Sequence, residues 1–144
     1  MKRALKALAA VAAATLTVGA LTSAPASAAA SAPDIQPMVT YEWNTAEAGT
    51  PPSGLPCRAV TGATVCFQAN GDKWWVKDTA ADSASAVAHW GNYRNGTLYR
   101  QGGCRNGLGN GKWGVCNKNY YEDSTLLYQA CVYDASAKVW VRCG

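Results

Sequence analysis

The chain has 144 residues, with 13 Lys and Arg against 9 Asp and Glu, and it carries 6 Cys, 6 Trp, 7 Tyr, 1 Phe and 1 His. That length holds one domain at most. A single histidine excludes a His-rich metal cage, and it makes any Ser-His-Asp or Cys-His centre depend on His89.

The chain starts with Lys2, Arg3 and Lys6, continues through an Ala-rich apolar run from Ala7 to Leu21, and reaches small residues from Thr22 to Ala32. A basic start, a short apolar core and a small-residue end form the layout of a secretory signal peptide. The apolar run is about 15 residues, short of the roughly 20 that a spanning helix needs. Cleavage is expected after Ala26-Ser27-Ala28, before Ala29, with Ala24-Pro25-Ala26 a near competitor; residues 1–28 are then removed and no membrane segment remains. Loss of the three leader cations leaves a net charge of about +1, and the remaining Lys and Arg residues are scattered. A nucleic-acid partner needs a clustered basic footprint, so none is expected.

Residues 29–56 differ in character. Pro33, Pro37, Pro51, Pro52 and Pro56 interrupt a stretch of small residues without cysteine, which cannot build a core of its own. Within it Met38 to Trp43 alternates, with Val39, Tyr41 and Trp43 on one side and Thr40 and Glu42 on the other. Two readings are open. The strand folds back as an edge of its own sheet, since neighbouring elements usually pack together. Alternatively it is an extended arm that enters a partner's sheet edge or groove, with Val39, Tyr41 and Trp43 as anchors. The second is the expectation carried forward.

All six cysteines, Cys57, Cys66, Cys104, Cys116, Cys131 and Cys143, lie in residues 57–144. An even count in a small secreted chain reads as a disulfide framework, and no spacing has the C-x2-C form of a zinc ribbon. Each sequential pair brackets turn residues: Thr61-Gly62, the glycine-rich Arg105 to Gly111, and Asp134 to Ala137. Hairpins at those turns would bring the flanking cysteines together, which predicts Cys57–Cys66, Cys104–Cys116 and Cys131–Cys143. Loops of this size contribute about 3 kcal/mol each on the chain-entropy estimate.

Between the cysteines the pattern is one of short strands. Ala63 to Gln68 turns at Asn70-Gly71-Asp72 into Lys73 to Asp78, and Thr125 to Tyr133 returns through Lys138 to Cys143. Ser85 to Trp90 and Thr97 to Arg100 complete the set. Alternation in the last strand puts Lys138, Trp140 and Arg142 on one, wetter face. No window after the leader has helical periodicity. The expected fold is all-β, a small disulfide-stapled antiparallel β-sandwich or barrel from about Leu55 to Gly144, trailing an extended N-terminal arm.

The chemistry for catalysis is thin. With every cysteine assigned to a bridge, a nucleophile would have to be serine, and no G-x-S-x-G elbow exists. Asp78 with Asp82, or Glu122 with Asp123, could form an acid/base pair, yet Asp78 to Ser83 reads equally as turn chemistry, and its acidic turn lacks the EF-hand pattern for calcium. No cofactor and no metal are expected. Thirteen of the fourteen aromatic residues are Trp or Tyr, which suits stacking platforms as well as core duty; Trp75, Trp113 and Trp140 are the candidates for a glycan-binding surface. Asn95-Gly96-Thr97 is a formal sequon that reads as a turn.

The run Cys66-Phe67-Gln68 with Gly71 to Asp82 and Ser85-Ala86, followed by Tyr99-Arg100, Cys104-Arg105-Asn106 and Gly111 to Lys118, resembles small secreted proteins of actinobacteria. Its architecture and length are also similar to the adaptor subunits of umbrella toxin particles. That resemblance implies a secreted, disulfide-stapled β-domain that bridges a spoke-forming subunit and a lectin-bearing, trypsin-like subunit, with an N-terminal segment inserted into the lectin-bearing partner. The expected function is therefore a secreted, non-enzymatic adaptor that holds a larger extracellular partner through its arm. The rivals are a protease inhibitor, using the arm or Arg105 in the Cys104–Cys116 loop, and a cell-wall or carbohydrate-binding module.

Overall fold

The structure is a computed structural model that describes residues 38–144. The expected signal peptide, 1–28, and the first part of the expected arm, 29–37, lie outside the described residues. Ten strands occupy the described chain: β1 Tyr41–Thr45, β2 Glu47–Ala48, β3 Cys57–Val60, β4 Ala63–Gln68, β5 Lys73–Asp78, β6 Ser85–Arg94, β7 Thr97–Asn106, β8 Trp113–Asn117, β9 Thr125–Asp134 and β10 Val139–Cys143.

Turn chemistry sets the hairpins. Asn95 and Gly96 have φ of 51° and 76° between β6 and β7, the two positive values that a tight two-residue turn requires. The β4–β5 reversal places Gly71 and Asp72 at φ of 87° and 50°. At the β9–β10 turn, Asp134 Oδ1 accepts from the Ser136 and Ala137 amides at 2.9 and 3.0 Å, and the turn exits through Lys138 at φ 56°.

The strands form two five-stranded sheets, ordered β1-β7-β6-β9-β10 and β2-β8-β5-β4-β3. They face each other without closing into a ring, so the architecture is the sandwich of the two expected forms. Every strand pair is antiparallel except β1 with β7. Trp74, Trp90, Val65, Val76 and Val132 fill the space between the sheets with the small side chains Ala63, Ala86, Ala88 and Ala130. The two indoles meet at Tyr120: Trp74 Nε1 donates to its hydroxyl at 2.9 Å, and the Trp90 ring lies edge-on to it at 5.2 Å. Each large buried side chain contributes about 1.5–3 kcal/mol through area removed from water. Buried Asn106 ties β7 to the opposite sheet, donating to the Val76 and Lys112 carbonyls at 2.7 and 2.8 Å while accepting from the Leu108 amide at 2.9 Å.

The three disulfides pair as expected: Cys57–Cys66, Cys104–Cys116 and Cys131–Cys143. The first and third join residues directly opposite each other in hairpins. The second does not. Cys104 lies in β7 of one sheet and Cys116 in β8 of the other, so this bridge crosses the sandwich rather than closing a hairpin.

The arm is also placed differently from the expectation. Tyr41–Thr45 runs parallel along β7, with Tyr41 opposite Gln101 and Trp43 opposite Gly103. After Ala46, β2 joins the second sheet beside β8. Residues 41–48 therefore cross from the edge of one sheet to the edge of the other, and the folded module begins there rather than at Cys57. Charge locks the docking. Glu42 accepts from Arg100 Nε and Nη2 at 2.8 and 3.0 Å and from Lys118 Nζ at 2.9 Å. Gly102 makes the approach possible, since a Cβ there would collide with the Glu42 carbonyl oxygen and lie 2.6 Å from the Trp90 ring. The open alternative, an edge strand on its own sheet, describes Tyr41–Thr45.

Candidate binding face

On β6, Ala86, Ala88 and Trp90 enter the core, so Ser85, Val87, His89 and Gly91 present the other side of the first sheet. The strand registers extend that outer face sideways. Tyr41 and Trp43 of β1 align with Gln101 and Gly103 of β7, and these with Gly91 and His89 of β6. Beyond β6 the face continues through Leu127, Gln129, Cys131 and Tyr133 of β9 to Trp140 of β10.

Five rings gather over this face. Trp43 and Trp140 stack at 5.7 Å with 15° between planes. Tyr133 touches both, with centroids at 5.1 and 5.0 Å. Tyr41 packs on Trp43 at 5.1 Å and on His89 at 5.6 Å, and His89 lies 5.2 Å from Trp140. Strands at opposite edges can share rings because the middle of the sheet is low: Gly103 has no side chain, and its Cβ would lie 2.8 Å from Tyr41 Oη and 3.2 Å from Trp43. Despite this packing, Trp43 remains 47% exposed and Trp140 41%. Large rings left in water beside one another mark a surface for contact.

Electrostatics vary along the face. Burial, followed by the neighbouring Tyr133, raises the Tyr41 phenol above its ordinary range, so it stays neutral. Burial lowers the His89 imidazole, which favours its uncharged form. At one end of the rings, Trp43, Thr45, Tyr133, Arg105 and Lys138 line a hollow of about 250 Å³; Arg105 Nε donates to Ser85 Oγ at 3.0 Å. At the other end, a groove of about 290 Å³ has Gly91 in its floor and His89, Gln101, Gln129, Leu98 and Leu127 along its sides. Gln101 Nε2 donates to the Val39 carbonyl at 2.7 Å, which places Val39 at the margin of the face.

The expected site residues thus divide. Tyr41 and Trp43 belong to this preformed cluster, docked on their own sheet rather than carried on a free ribbon, and half-buried Val39 supports Gln101 through its backbone. Of the glycan candidates, Trp140 lies in the cluster. Trp75 is 7% exposed, covered by the chain at Gly49, and Trp113 lies on the second sheet. Trp140 and Arg142 do not share a face, because the β9–β10 register shifts between them; Arg142 instead donates to the Thr61 carbonyl at 2.8 Å. Arg105 sits in β7 against Ser85 and is not held out by the Cys104–Cys116 loop, as an inhibitory side chain would need.

Three of the four acidic candidates, Asp78, Asp82 and Asp123, make structural contacts. Asp78 and Asp82 each accept the backbone amide two residues on, from Ala80 at 3.0 Å and Ala84 at 3.1 Å, and Asp123 pairs with Arg94 at 3.0 Å. Among the described residues no group of three or more His, Cys, Asp or Glu side chains converges as metal ligands do. Sequence reasoning missed Tyr133 and Gly103, which only the strand registers bring into the cluster, whereas Lys138, expected beside Trp140, lines the hollow at its end. Comparison with protein-family models, curated proteins and solved structures finds no match to this chain.

Proposed function

We propose that the chain is a secreted, non-enzymatic binding protein that attaches to a larger extracellular partner through the outer face of the β1-β7-β6-β9-β10 sheet. The observation that supports this reading is the stacked, solvent-exposed pair Trp43 and Trp140, with Trp43 lying over glycine at Gly103. Tyr and Trp dominate interface energies, and rings already fixed by one another lose little entropy on binding. Three disulfides suit an oxidising, extracellular compartment, in keeping with the leader read from the sequence. In this reading β1 contributes rings to a rigid surface. An adaptor role in a secreted antibacterial toxin particle, with killing carried by other subunits, rests on the resemblance to umbrella-particle adaptors and on this face.

The test compares the mature wild-type chain with W43A/W140A, each recovered from the culture medium of its producer. The wild type is expected to be retained on a larger extracellular component, and the double variant, folded by far-UV circular dichroism, to elute free. Equal retention of the two overturns the binding face.

A further inference from the structure

We infer that this face takes an acidic polysaccharide, a chain of sugar rings bearing carboxylates, an inference that rests on the outer face being the binding surface. Three observations carry it. The first is shape. The face follows β6 from Ser85 to Tyr93, about 26 Å at strand rise, with the ring cluster near one end and the Gly91-floored groove at the other. That is room for an extended polymer.

The second concerns the kind of polymer. β7, β6 and β9 each pair with neighbours on both sides, so the main-chain groups along the face are already used. A peptide strand binds by adding to an unpaired edge; lying across this face it would find no backbone partners. Aromatic faces with amide side chains suit sugars, whose C–H faces stack while their hydroxyls bond to Gln101 and Gln129.

The third is charge. Arg105 and Lys138 flank the Trp43–Tyr133 hollow, and neither forms an ion pair among the described residues. The nearby Asp134 turns its carboxylate into its own loop, toward Ser136 and Ala137. Among the described residues no other Asp or Glu side chain is placed on the face: Glu42 points to the opposite side, into Arg100 and Lys118. Two cations beside stacked rings, without a matching acid among the described residues, select a ligand with negative charge next to a ring, and a guanidinium binds carboxylate bidentately.

The experiment titrates the full mature chain with oligogalacturonate, following tryptophan fluorescence and calorimetry, beside a neutral cello-oligosaccharide of equal length and poly-glutamate. Oligogalacturonate is expected to bind, at least tenfold more weakly to R105Q/K138Q and not measurably to W43A/W140A. Neutral sugar should bind at least tenfold more weakly than the acidic one, and poly-glutamate should not compete. Equal binding of both sugars overturns the acidic assignment. Competition by poly-glutamate shows charge attraction alone and favours an acidic protein. Absence of binding to either sugar overturns the inference, and if W43A/W140A still loses its extracellular partner, the binding face stands without it.

Discussion

Trp43 and Trp140 lie on strands at opposite edges of one five-stranded sheet, yet their rings stack at 5.7 Å. Trp43 lies over Gly103 and stacks on Trp140, so each ring limits the positions open to the other. Their contributions to stability should therefore be coupled. In a double-mutant cycle of W43A and W140A, monitored by urea unfolding, a coupling energy of about 0.5–1.5 kcal/mol is expected for the ring pair. Additive single effects would show that the rings touch without supporting each other.

Glu42 gives the docking of β1 a pH dependence. The Arg100 hydrogen bonds, then the Lys118 hydrogen bond and the two positive charges, hold its carboxyl at about 2, below its ordinary 4.5. A depressed carboxyl stabilises the fold at pH above the unfolded value, and the contribution fades as pH falls through the folded one. Amide protection of Tyr41–Thr45 should thus decline between about pH 4.5 and 2. The E42Q variant should lack that step and show weaker protection at neutral pH. Wild-type protection that stays flat across this window would mean the ion cluster does not hold the strand.

Glycine is required where β1 approaches β7. A Cβ at Gly102 meets the Glu42 carbonyl oxygen, which is backbone and cannot turn aside. Overpacking of this kind costs about 1–3 kcal/mol, and G102A should lose that much in denaturant unfolding, with exchange at residues 41–45 rising first. At Gly103 the added methyl meets Tyr41 and Trp43, so G103A should disturb the near-ultraviolet aromatic signal more than it lowers stability.

Tyr41 Oη is buried without a hydrogen-bond partner among the described residues. An orphaned hydroxyl costs about 1–3 kcal/mol on protein mutational scales, and phenylalanine keeps the ring. Y41F should be as stable as the wild type or more so, by up to about 2 kcal/mol. A clear loss in thermal unfolding would reveal a role for the hydroxyl that packing does not explain.

The three bridges should not be equal. By loop size each contributes about 3 kcal/mol, but Cys104 and Cys116 are both buried, and removing their sulfurs also opens space in the core. C104A/C116A should therefore destabilise more than C57A/C66A, whose Cys57 is exposed. Equal midpoints in guanidinium would argue that loop closure is the whole effect.

Much of the fold can be read from local signals. Alternation located most strands, turn residues located the reversals, and the cysteine pairs followed from both. The Cys104–Cys116 pairing was right for a wrong reason, because a glycine-rich loop can reverse the chain within a sheet or carry it to the other one, and spacing does not distinguish these. Parallel pairing of Tyr41–Thr45 with Gln101–Arg105 has no local signature at all, since its partner lies some sixty residues away. The face was half legible: Trp43 and Trp140 stood out, whereas the register shift after Trp140 hid which neighbours it joins.

The route by which β1 is seated has a consequence for how the chain matures. Its partners in β7, and those of β2 in β8, are made long after it, so synthesis exposes Tyr41 and Trp43 while nothing exists to shelter them. Closing so long a loop is entropically unfavourable until the later strands are organised. The earliest of the described strands thus waits some sixty residues for its partner, and a nascent chain arrested before Arg105 would display two sticky rings to any chaperone or neighbour within reach.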